Sequence, residues 1–124
     1  MTNPLFPASA SREFLTRERC HITELFNLAG EPRLSLARCR VEPGVTTELH
    51  SLAVDEWYFI EQGTGQMEVG DGDPFAVGPG DTVAIDRGVA QRIHNNGRTD
   101  LVFQCICVPR FAVEHYRSLE TGDG

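Results

Sequence analysis

The chain has 124 residues, 40% of them hydrophobic and 23% charged, which is the size and composition of one ordinary globular domain and excludes a disordered chain. No run nears the ~18 apolar residues of a spanning helix and no apolar leader opens the sequence, so the expected location is the cytoplasm, with no membrane partner. Eleven basic residues against eighteen acidic ones leave a net charge of −7, which weighs against a nucleic-acid partner, and because all eleven are Arg, lysine chemistry is excluded.

Taken in chain order, the stretch up to residue 10, with Asn3, Pro4, Pro7 and Ser9, reads as a short N-terminal arm that is ordered only where it docks. Residues 34–41 read as a strand ended by Pro43 and Gly44. Ala37, Cys39 and Val41 share its inward face, and Arg38 and Arg40 the other. Residues 57–60 form a strongly β-prone run ended by Gly63 and Gly65. Tyr58 and Ile60 share the parity of Glu56, whereas Trp57 and Phe59 take the opposite face, under a second layer or at a subunit contact. Residues 66–69 lead into the hairpin signal Asp71-Gly72, and residues 75–77 end at Gly78-Pro79-Gly80. Residues 82–85 end at the charged corner Asp86-Arg87-Gly88, expected to sit in solvent. Residues 91–94 are expected to pair across Asn95-Asn96-Gly97 with residues 101–108, which Pro109 terminates. The tail, residues 113–119, reads as a short C-terminal helix with Tyr116 and Leu119 on one face.

Short strands with Gly and Pro corners predict an all-β sandwich or barrel forming a single domain over 1–124. Cys20, Cys39, Cys105 and Cys107 read as reduced thiols in strands rather than a disulfide framework. His94 shares the face opposite Gln91 and Ile93 and reads as outward and structural, and His21 and His115, without local partners in sequence, read as surface residues.

Two segments carry more specific information. The first runs Gly44-x5-His50-x-Leu52-x3-Glu56-x6-Gly63, and the second Gly80-x5-Asp86-x-Gly88-x2-Gln91-x3-Asn95. Together they resemble the two motifs of the cupin superfamily, G-x5-H-x-H-x3,4-E-x6-G and G-x5-P-x-G-x2-H-x3-N, across a motif-bearing barrel at about 34–109. The resemblance implies a double-stranded β-helix, or jelly-roll, barrel, and a homodimer. It also implies that side chains at the His and Glu positions point inward to one divalent metal such as Zn, Ni, Mn or Fe. This chain departs from the pattern: Leu52 stands at the second His position and Gln91 at the motif-two His position. The reduced ligand set is therefore His50, Glu56 and Gln91, with His50 and Glu56 as the catalytic candidates. Leu52, Tyr58, Ile60, Cys39 and Ile93 are expected to line the pocket.

The function expected on these grounds is binding of a small organic ligand in the barrel interior. A divalent-metal enzyme of isomerase or dioxygenase type is one form of it, and the same His50–Glu56 pair working without metal is another. The alternative is a non-catalytic binding or sensor protein, which the apolar Leu52 suits.

Overall fold

The computed structural model describes residues 4–120, so residues 1–3 of the expected arm lie outside the described residues. Eleven strands follow one another: β1 (Glu13–Leu15), β2 (His21–Phe26), β3 (Ser35–Val41), β4 (His50–Leu52), β5 (Asp55–Gln62), β6 (Gly65–Val69), β7 (Phe75–Val77), β8 (Thr82–Ile85), β9 (Gln91–His94), β10 (Leu101–Val108) and β11 (Tyr116–Ser118). A six-stranded sheet has the order β1-β2-β3-β10-β5-β8, and a five-stranded sheet the order β11-β4-β9-β6-β7. Every pairing is antiparallel, as in a jelly-roll barrel. Among the described residues no helix is long and apolar enough to cross a membrane.

Alternation decides which side chains point inward. Along β5, Glu56, Tyr58 and Ile60 are buried while Trp57 and Phe59 are exposed. Cys39 and Val41 of β3 face in, as their spacing predicts. Trp57 and Phe59 lie on the outer face of the larger sheet, where Trp57 sits in register with Ile106 and Ala84, and Ile106 with Leu36. No second layer of described residues covers them.

The corners follow the glycines. Gly44, Gly63, Gly80 and Gly88 all have φ between 82° and 91°. Gly63 is the most constrained, since a Cβ there would stand 2.6 Å from the carbonyl oxygen of Asp100.

Three expectations are corrected. First, β9 and β10 are not a hairpin: β9 lies between β4 and β6 in one sheet, and β10 between β3 and β5 in the other. The Asn95 side chain directs this crossing. Its amide nitrogen donates to the carbonyls of Val41 and Thr99, both at 2.9 Å, and its oxygen accepts the Gly97 N–H at 2.9 Å. Second, the tail is not a helix over 113–119. One 3-10 turn, Val113–His115, leads into β11, because β4 offers Tyr116 and Ser118 a ladder. Third, β1 and β2 precede the first expected strand and close one side of the barrel. The arm docks by an edge-to-face contact of Phe6 on Phe26, with centroids 4.8 Å apart.

Candidate functional site

A cavity of about 470 Å³ opens at one end of the barrel, within the range of small-molecule sites. Strand pairing places its polar groups. His50 of β4 lies opposite Gln91 of β9, and Glu56 of β5 lies opposite Cys107 of β10. His50, Glu56, Leu52, Tyr58 and Cys39 all line the cavity. Ile60 and Ile93 do not, correcting the expectation for both. They share the inward face but are fully buried in the filled part of the core, farther along the same strands. Gln91 also stands behind the wall, 1% exposed.

Gln91 connects two wall residues. Its amide nitrogen donates to Glu56 Oε1 at 2.8 Å, and its amide oxygen accepts the Tyr58 hydroxyl at 2.6 Å. Tyr58 in turn stacks on Phe103, with centroids 4.4 Å apart. The Cys107 thiol reaches Glu56 Oε2 at 3.8 Å. Burial pushes the Glu56 carboxyl up to about 7, against the opposing hydrogen bond from Gln91. The group therefore exchanges a proton near neutrality, an uncommon property that marks functional sites.

His50 is oriented from its other side. Its Nδ1 lies 2.8 Å from the carbonyl oxygen of Glu48. A carbonyl oxygen can only accept, so Nδ1 carries the proton, and in the neutral ring Nε2 keeps its lone pair. No described residue makes a hydrogen bond to Nε2. Burial lowers the His50 pKa, which favours this neutral form. The ring stacks on Tyr116 of β11, at 4.8 Å and 14° between planes. Glu48 accepts from the Tyr116 hydroxyl and, at 2.9 Å, from that of Ser118. Burial opposes ionisation of Glu48, but these two hydroxyls and Arg17 bring its pKa below the ordinary value.

Sequence reasoning missed Tyr116, which it placed on a helix, and Glu18. Glu18 stands on the β1–β2 hairpin tip and lines the cavity. The tip is tied down by the Glu48 N–H donating to the Glu18 carbonyl at 3.0 Å. The Arg19 guanidinium also reaches the Thr46 carbonyl at 2.8 Å and pairs with Glu120. Arg19 has φ 70°, a left-handed turn in a non-glycine residue, but no local motif marks it.

The cysteines are free thiols on or beside the cavity wall, with the Cys39 and Cys105 sulfurs 3.3 Å apart. Burial pushes the Cys105 and Cys107 thiols up, so they are poor nucleophiles. The remaining histidines stand apart from the site. His21 pairs with Glu42 at 2.7 Å, and His94 Nδ1 lies 2.7 Å from the Thr46 hydroxyl. His115 is half-buried, and its Nδ1 has no partner among the described residues. At the charged corner, Asp86 and Arg87 are exposed and Arg87 pairs with Asp55 at 3.1 Å.

The donors present do not suit a resident divalent metal. Leu52 removes one imidazole, and Gln91 has both amide atoms engaged and lies behind the wall. Among the described residues no three His, Cys, Asp or Glu side chains are placed to hold an ion together.

Comparison with known proteins places this geometry in a wider group. The family model described as "Cupin domain" matches residues 37–109. An uncharacterized protein of Methanocaldococcus jannaschii is 31% identical over 112 residues, spanning 88% of this chain and 89% of that one. Among solved structures, Streptomyces PAC13 with uridine superposes with a TM-score of 0.79 at 16% identity, covering 97% of this chain and 93% of its own. The polyketide cyclase RemF from Streptomyces resistomycificus gives 0.79 at 18% identity, with 97% and 87% covered. Bacillus subtilis oxalate decarboxylase gives 0.78 at 21% identity, covering 92% of this chain but 31% of the decarboxylase. At these identities the likeness is one of fold.

Proposed function

The chain belongs to the cupin domain family, and from that premise we propose that it binds a small, largely apolar organic molecule inside the barrel and catalyses proton transfer on it without a metal. One observation carries the reading: a neutral imidazole with its tautomer set and a carboxyl poised at about 7 share one largely apolar cavity. His50 Nε2 acts as the base. Glu56, protonated in part near neutrality, acts as the acid, and Gln91, braced by Tyr58, holds its carboxyl in place. One solved relative of this fold is described as a nucleoside dehydratase and another as a polyketide cyclase. Losing water and closing a ring are reactions in which a placed acid and base suffice, which supports the assignment without specifying the substrate.

The test is a ligand screen by thermal shift, followed by NMR of each hit in deuterated buffer. Exchange or conversion at an acidic C–H is expected, unaffected by chelator. His50→Ala and Glu56→Gln should each slow it by ~10²–10⁴-fold while keeping the strand signature. Loss of turnover on chelation would restore a metal enzyme. A hit that stabilises the protein but never turns over would leave the non-catalytic binding reading. The reading also keeps a homodimer, with the uncovered row around Trp57 and Ile106 as the contact. A monomer by sedimentation at high concentration would remove it.

A further inference from the structure

The cavity contains a carboxyl that this chemistry leaves idle. Glu18 lines the wall, is half-buried, and makes no side-chain hydrogen bond to any described residue. Burial desolvates this carboxyl in part and no described side chain pairs with it, while the hairpin tip that carries it is tied down through Glu48, Thr46 and Glu120. The second such group lining the cavity is His50, 4% exposed, whose Nε2 has no hydrogen-bond partner among the described residues.

The charges around these two groups are acidic but for one arginine. Glu56 lies on the same wall, Glu24 stands farther out on it, and the Glu48 carboxylate lies behind Tyr116. Arg17, exposed, is the one cationic side chain on the cavity wall among the described residues. Such a lining repels phosphates and carboxylates and leaves unmet demand for a cation or hydrogen-bond donor.

We propose that the ligand is an organic cation, a primary or secondary amine on an apolar body, whose ammonium pairs with the Glu18 carboxylate while its body fills the space beside Leu52, Tyr58 and Phe103. This rests on the reading that the cavity takes a small organic molecule. Glu18 is then the specificity residue, separate from the His50–Glu56 pair.

The experiment titrates the full chain at pH 8 with three probes of similar shape: 2-phenylethylamine, 2-phenylethanol and 3-phenylpropionate. Burial together with Glu56 and Glu48 raises Glu18 to about 7, against Arg17, so at pH 8 it is mostly ionised. The amine should bind at least about tenfold more tightly than the alcohol, and the acid most weakly. In Glu18→Gln the amine should fall to the level of the alcohol, while alcohol binding holds and the melting temperature at pH 8 is no lower than that of the wild type. Equal binding of all three probes would overturn the cation assignment but leave the ligand-binding cavity standing. An amine preference that persists in Glu18→Gln would overturn the role of Glu18. No binding by any probe at millimolar concentration would bring down the cation and the organic-ligand reading together.

Discussion

The two ends of this barrel are built from the same strands yet differ completely inside. At one end Val41, Ile60, Met67, Ile93 and Leu101 are fully buried and fill the space between the sheets. Farther along those strands, the inward positions are Cys39 on β3, Glu56 on β5, Gln91 on β9 and Cys107 on β10, and the interior opens into the cavity. The strands run through both ends, with one register shift between β10 and β5 at Val102 and Phe103. The difference is side-chain volume and polarity at alternate positions, so one fold supplies both an anchor and a site.

The largest expected effect comes from breaking the anchor. Ile60→Ala removes a fully buried side chain that its tightly packed surroundings cannot replace, and should lower unfolding free energy by ~2–5 kcal/mol in denaturant titration. A loss no larger than that of a surface substitution would mean that the filled end does not hold the barrel.

Next is the pH response of the hollow end. The Glu56 pKa is raised in the folded state from 4.5 to about 7, so between those values the native protein holds a proton that the unfolded chain has released. Stability from this group is full below about 4.5, falls as pH rises through 7, and stays low above. Glu56→Gln, which cannot ionise, should therefore gain on the wild type by up to ~3 kcal/mol between pH 5 and pH 8. Parallel denaturant curves for the two proteins at both pH values are the check. Identical pH slopes would show that Glu56 is already ionised at pH 5. Glu18 titrates in the same window and remains in the variant, so a residual slope belongs to it.

The smallest effect sharpens the border of the site. Tyr116→Phe keeps the ring over His50 but removes the hydroxyl that serves Glu48, leaving Ser118 as its remaining side-chain donor. A loss of about 1 kcal/mol is expected by thermal melting, with ligand affinity little changed. A large loss of affinity would instead place the Tyr116 hydroxyl in the site.

Much of this was legible in the order of residues. Period-two alternation at 37–41 and 56–60 marked the inward faces, because a strand turns successive side chains to opposite sides. The Gly and Pro corners marked the strand ends, and motif spacing brought His50 and Glu56 to one cavity. Gln91 was assigned the right strand but a ligand's role, whereas its amide serves Glu56 and Tyr58. Pairing was less legible. Antiparallel neighbours in sequence often form a hairpin, but Asn95 sends β10 to the opposite sheet, and that depends on carbonyls of Val41 and Thr99 that only the fold brings near.

The sequence by itself determined the all-β class and the strand faces, since these depend on local alternation and turn chemistry, and its resemblance to the cupin motifs drew attention to His50 and Glu56. Only the tertiary structure decided that Ile60 and Ile93 lie in the anchor and not the wall, that the tail is a strand carrying Tyr116 to His50, and that Glu18 joins Glu56 across a long stretch of chain. Burial, stacking and the coupling of charges depend on distance in space, and no spacing along the chain encodes them directly.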